Sequence, residues 1–243
     1  MQHGTYLLID FFTVIVCFIA SFDRRIQFYK HFKAFFVACT VVASVFIAWD
    51  IWFTKVGVWW FNLDYTTGLT LEGLPIEEWL FFYCIPFSCV FTYYCIDKFF
   101  DWSWASAFNN LIVFVSVIVC GVVALLYPDR LYTFVTALIT IATLIYLHFV
   151  VKVEWIGQAS LTFSVLVLGF FPVNGILTGT GLSSPIVNYN PDEFLGIRMI
   201  TIPIEDAVYG YSQFLLTIYF FKIFQKKLKT APEKSNNLLV YSY

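Results

Sequence analysis

Apolar residues in this chain fall into long, almost unbroken runs, without the alternation of a half-buried strand or the one-sided stripe of a soluble helix. Seven runs stand out: Tyr6–Phe22, Phe32–Phe53, Ile76–Ile96, Ala105–Tyr127, Leu131–Val151, Trp155–Leu177 and Ile202–Phe224. A bilayer core about 30 Å thick takes roughly 20 mostly apolar residues per helix, so each run reads as a membrane crossing. Turn signals separate them, including Asp23-Arg24-Arg25, Pro128-Asp129 and the Gly/Ser/Pro/Asn-rich stretch Thr178–Pro191. The pattern predicts an all-α integral membrane protein, a bundle of seven transmembrane helices.

Composition agrees. Of 243 residues, 60% are hydrophobic and 12% charged, with a mean hydropathy of +0.79; soluble domains carry about 25% charged residues. A net charge of −2, with no basic run before the C-terminus, leaves nothing to neutralise a phosphate backbone and excludes nucleic acid as a partner. The six cysteines lie in apolar runs without CxxC spacing, so neither a disulfide framework nor a metal site is expected. No Lys or Arg occurs in the first 22 residues, which argues against a cleavable signal peptide and for retention of the first run.

The positions of the charges say more than their number. Taking connections alternately, eleven Lys/Arg fall on one side (Arg24, Arg25, Lys30, Lys33, Lys98, Lys152, Lys222, Lys226, Lys227, Lys229, Lys234) and three on the other (Lys55, Arg130, Arg198). Basic excess marks the cytoplasmic side, so the amino terminus is expected outside and the carboxyl terminus inside. Asp10, Asp50, Glu77, Glu78, Glu205 and Asp206 sit within the outer ends of the predicted helices. Acids at such depth are costly, which makes them functional-site candidates.

A shift of 128 positions superposes Asn62-Leu-Asp64 on Asn190-Pro-Asp192, Gly68 on Gly196, and Leu74-Pro75-Ile-Glu77-Glu78 on Ile202-Pro203-Ile-Glu205-Asp206. At an offset of 124, Asp50-x-x-x-Thr54-x-x-Gly57 meets Asn174-x-x-x-Thr178-x-x-Gly181. Spans one to three therefore repeat as spans five to seven, two parallel three-helix repeats joined by a linker helix. The predicted organisation is a first repeat over residues 1–101, a linker over 102–130, a second repeat over 131–226 and a basic cytoplasmic tail over 227–243. Three and seven run the same way through the membrane, so both P-I-E-[ED] elements open on one face, where repeat-built membrane proteins tend to hold substrate. Proline followed by acids is also an ordinary helix start, but two such pairs, with Asp10, Asp50 and Asn174 at similar depth, exceed what capping requires.

Pro75-Ile-Glu77-Glu78-Trp79 and Pro203-Ile-Glu205-Asp206, each ending a polar loop and opening an apolar helix, resemble the motifs of the lycopene cyclase domain family. That family includes the heterodimeric bacterial carotenoid cyclases and the cyclase half of fungal bifunctional phytoene synthase/lycopene cyclases. The resemblance spans residues 1–226 and matches a fused, single-chain form. It implies cyclisation of lycopene to β-carotene without net redox change, with lycopene and related linear carotenoids as substrates, membrane lipid as surroundings, and other carotenoid-biosynthesis enzymes as further partners. The nearest approach to a G-x-G-x-x-G fingerprint is Gly179-Thr-Gly181 in an outer loop, outside any Rossmann setting; no cofactor and no metal is expected.

Such a reaction protonates a terminal alkene, closes a ring through a tertiary cation and loses a proton. It needs a neutral carboxylic acid in a dry pocket and a second group as base, and paired carboxyls supply both. Glu77 and Glu205, identical between repeats, are the first candidates for donor and acceptor, with Glu78 and Asp206 assisting. Consecutive helical residues point about 100° apart, so the two acids of one motif cannot aim at the same atom. Asp10, Asp50 and Asn174 are supporting polar groups, and Arg198 is placed to hold a carboxylate ionised. Trp59, Trp60, Trp79, Phe81 and Phe82 are candidates for stabilising the cation, although Trp59 and Trp60 also suit an interfacial aromatic belt. A coupled transporter, a proton-pathway protein or a non-catalytic carotenoid binder would use similar features, and a γ- or ε-ring is the alternative product.

Overall fold

The computed structural model describes residues 3–230. Seven helices, among these residues, run alternately between two ends: α1 (Thr5–Ala20), α2 (Phe32–Val56), α3 (Ile76–Phe99), α4 (Asn109–Leu126), α5 (Leu131–Ile145), α6 (Ile156–Leu177) and α7 (Ile204–Thr230). Each coincides with one apolar run of the sequence. Five helical segments are long and apolar enough to cross a membrane: Phe28–Val56, Ile76–Phe99, Ser103–Leu126, Leu131–Val150 and Ile156–Leu177. The first and last helices differ. α1 has 16 residues, about 24 Å at 1.5 Å per residue. α7 is long enough but carries Glu205 and Asp206 at its head, Lys222, Lys226 and Lys227 towards its foot, and buried Ser212, Gln213 and Thr217 between. Lys227–Lys229, expected to begin a tail, are helical; residues 231–243, with the rest of that tail, lie outside the described residues.

Helix surfaces are inverted relative to a soluble protein. α4 exposes Leu111, Phe114, Ile118, Val122 and Leu125, a stripe at three- and four-residue spacing that faces outward and suits lipid. The buried side instead carries polar groups, some of them bonded to one another: Thr140 bonds the Thr136 carbonyl at 2.8 Å and the Ser212 hydroxyl at 2.8 Å.

The loops at the motif end contain short strands that the apolar pattern did not indicate: β1 (Trp59–Phe61), β2 (Thr70–Leu71), β3 (Leu74–Pro75), β4 (Val187–Tyr189), β5 (Arg198–Met199) and β6 (Ile202–Pro203). β2–β3 and β5–β6 are hairpins in the same register, Thr70 opposite Pro75 and Arg198 opposite Pro203, 128 positions apart. β1 and β4 pair antiparallel, with Trp59 opposite Tyr189, Trp60 opposite Asn188 and Phe61 opposite Val187. Residues 60 and 188 are themselves 128 apart, so each strand meets its own counterpart about a common centre.

Packing departs from this regularity. α2 lies along α7 over much of its length, whereas α3 and α6 touch less extensively. The tight joint fills with Val42, Phe46, Trp49 and Phe53 of α2 and Leu216 and Phe220 of α7; a cavity occupies the space left by the loose one. At the opposite end, Asn109 Nδ2 donates to the Glu154 carbonyl at 2.8 Å and its Oδ1 accepts from the Gly157 amide at 2.7 Å. A Cβ at Gly157 would stand 1.9 Å from the Ala105 carbonyl oxygen. Gly157→Ala is therefore expected to force α6 from the 103–108 turn at a cost of about 1–3 kcal/mol; an unchanged apparent Tm in detergent would contradict this contact.

Candidate active site

Each motif loop is built by the same local bonds. Asn62 Oδ1 accepts from the Asp64 amide and Asn190 Oδ1 from the Asp192 amide, both at 3.1 Å, which closes an Asx turn. Gly68 and Gly196 follow at φ 81° and 77°, a left-handed conformation that favours glycine. After the hairpin, the Ile76 amide bonds the Leu69 carbonyl and the Ile204 amide bonds that of Ile197. The first acid of each helix then turns back: Glu77 Oε1 accepts from the Thr67 amide at 2.6 Å, and Glu205 Oε1 from the Leu195 amide at 2.8 Å. Thr133 of α5 adds a 2.6 Å bond to Glu205 Oε1. The motif is in this respect a loop-closing device.

The second acid points elsewhere. Glu78 and Asp206 both line the cavity, whose volume is about 410 Å³, within the usual range for small-molecule sites of ~300–1,000 Å³. Tyr6 of α1 donates to Glu78 Oε2 at 2.5 Å. Glu78 and Asp50 both line the cavity and lie within electrostatic reach of each other, and Asp50 Oδ1 accepts from Trp59 Nε1 at 2.6 Å. Like charges held close together in a buried site disfavour ionisation of both. Asp206 has different neighbours: Tyr132 donates to Oδ1 at 2.6 Å and Tyr189 to Oδ2 at 2.7 Å. Burial and the adjacent Asp206 carboxyl push the Tyr189 phenol well above its ordinary range, which keeps it a donor. The cavity thus has two neighbouring carboxyls, Glu78 and Asp50, and a third, Asp206, whose two oxygens both accept.

The remaining candidates divide. Asn174, Trp59, Phe81 and Phe82 line the same cavity. Glu77, Glu205 and Asp10 do not, although all three are buried; both oxygens of Asp10, Glu77 Oε2 and Glu205 Oε2 have no protein hydrogen-bond partner, and Asp10 lies within electrostatic reach of Glu77. Trp60 is half exposed on β1, and Trp79 bonds the Leu71 carbonyl at 3.2 Å, so both serve the loop. Arg198 stacks over Phe194 and Tyr189, 4.8 and 5.7 Å from the ring centres, and bonds the Thr201 carbonyl; among the described residues it forms no direct ion pair with a carboxylate, but it lies within electrostatic reach of Asp206. Among the described residues, no group of three His, Cys, Asp or Glu is disposed as metal ligands. Sequence reasoning missed Tyr6, Tyr132 and Tyr189. The first two stand at matching places at the heads of α1 and α5, so extending the repeat into those helices would have found them.

Fold and site together define a helical membrane protein with carboxyl groups buried at one end of its bundle. The lycopene cyclase family model matches residues 3–96 and 129–224, most of the chain and both motif loops, and the chain belongs to that family. Its class is accordingly an enzyme of carotenoid cyclisation. Comparison with curated proteins and with solved structures gives no match.

Proposed function

We propose that the protein is a lycopene β-cyclase that works by acid–base chemistry alone, with Glu78 as proton donor and Asp206 as acceptor. The observation that carries this reading is that these two carboxyls face one largely apolar cavity with different neighbours, Glu78 with one tyrosine donor and a second carboxyl nearby, Asp206 with a tyrosine donor on each oxygen. Glu78, buried near a second carboxyl, Asp50, would keep the proton that it gives, since like charges so placed disfavour ionising both; Asp206, held by two tyrosine hydroxyls, would have lone pairs to receive one. Proton transfer from Glu78 to the terminal alkene leaves a tertiary cation, the neighbouring double bond attacks it, and Asp206 removes a ring proton to leave the β-ring. One proton enters and one leaves, with no change in oxidation state. The cation forms beside Trp59, Phe81 and Phe82, and aromatic faces stabilise a desolvated cation by about 0.5–2 kcal/mol.

In this reading Glu77 and Glu205 hold the loops that set the second acids, while Asp10 and Asn174 support the polar end of the site. The chain crosses the membrane seven times as two parallel repeats joined by α4, with the amino terminus outside. The recurrence of the Asx turn, hairpin and acid-to-amide bond at an interval of 128 supports the repeats, and the eleven-to-three basic asymmetry supports the orientation.

Expression in a lycopene-accumulating host is expected to convert the pigment to β-carotene, and purified protein in lipid to do so without added flavin or nucleotide. Unconverted lycopene would reject the cyclase; γ- or ε-rings would reject the ring assignment; strict dependence on reduced flavin would reject the acid–base mechanism.

A further inference from the structure

Asp206 and Gly210 lie one turn apart on α7, and Glu78 and Phe82 one turn apart on α3. Residues four apart share a helix face, and all four line the cavity. Positions 82 and 210 correspond across the 128-residue interval, yet one bears a buried phenyl ring and the other no side chain.

Three ordinary reasons for a glycine fail at 210. Its φ is not positive. No neighbour demands it: a Cβ there meets nothing within 4 Å, whereas one at Gly157 collides with a backbone carbonyl. Nor does the helix gain, since a mid-helix glycine is less stable than alanine. Gly121 of α4 is equally uncrowded but lines no part of the cavity. Gly169 of α6 is uncrowded too and lines the same cavity, but of these glycines only Gly210 stands one turn from Asp206 on the same helix, so that the space it leaves opens beside that carboxyl.

Resting on the cyclase reading above, we propose that Gly210 is a specificity-determining residue: its missing side chain leaves the volume in which the carotenoid end group folds into a ring next to Asp206. An extended polyene end is slender and a trimethylated ring is broad, so the room matters most as the ring closes. Filling it acts on closure more than on capture of the linear chain.

The test is a series, Gly210→Ala and Gly210→Leu, with Gly121→Leu as control, each checked for a monodisperse peak in detergent and assayed on lycopene in lipid. A hydrophobic site discriminates about 10- to 200-fold per methylene at its tightest points. Gly210→Leu is expected to lower kcat by about tenfold or more with KM little changed, Gly210→Ala to lower it by roughly two- to threefold, and Gly121→Leu to match the wild type. Alanine improves helix propensity, so Gly210→Ala decides the matter even if the leucine variant fails to fold. Ring closure by Gly210→Ala at the wild-type rate or faster overturns the proposal, as does an equal loss in Gly121→Leu. Wild-type protein that leaves lycopene unconverted rejects the cyclase reading itself, a result distinct from active protein indifferent to residue 210.

Discussion

Glu78→Gln is expected to reduce ring formation by about 10²–10⁴-fold, the usual contribution of a positioned acid, while the protein still inserts and purifies as a monodisperse species. Glutamine keeps the shape of the side chain and an oxygen to accept from Tyr6, but it has no carboxyl proton to deliver. Asp206→Asn should cost a similar factor for the converse reason: the amide retains one acceptor for the tyrosine hydroxyls and loses basicity. Pigment content in a lycopene-accumulating host gives a first reading, and initial rates in lipid give the factor. Cyclisation by Glu78→Gln at the wild-type rate would remove Glu78 from the chemistry.

The second large effect is structural and falls on the neighbouring acid. Glu205→Leu removes the acceptor for the Leu195 amide and the Thr133 hydroxyl. Each unsatisfied buried donor costs about 1–3 kcal/mol, so the loss is roughly 2–6 kcal/mol, or a fall of about 4–24 °C in apparent Tm for a chain of this size. Glu205→Gln keeps an oxygen for both donors and should retain most of the stability and the activity. This contrast separates the two roles open to Glu205. A glutamine variant that is stable but as inactive as Glu78→Gln would return Glu205 to the chemistry; a leucine variant with unchanged Tm would deny it the loop-holding part.

The duplicated motif was legible because it is written in residue types with few substitutes: an asparagine for the Asx turn, a glycine at positive φ, a proline before the helix, then acids. The helices were legible from apolar length. Which acid of each pair faces the cavity was not, because the rotation of α3 and α7 about their axes is fixed by packing against distant helices. Glu77 and Glu205 look the more informative pair since they are identical between repeats; that identity serves an identical task, bonding the amide ten residues upstream. Glu78 and Asp206 differ because their neighbours differ. The partners of those acids, Tyr6, Asp50, Tyr132 and Tyr189, come from four separate segments, and only the folded chain brings them to the two carboxyls. The strands escaped notice because two- and three-residue segments are too short to express a period.

The pairing of β1 with β4 carries one more implication. Trp59, which bonds Asp50, stands directly opposite Tyr189, which bonds Asp206. The Asp50 and Asp206 ends of the cavity are thus tethered to the two sides of one rung, held by backbone pairing in the loops between helices. On the proposed mechanism this ladder would act as a gauge: the helical walls of the site could yield to a long polyene while the interval between the Asp50 and Asp206 ends stays constant.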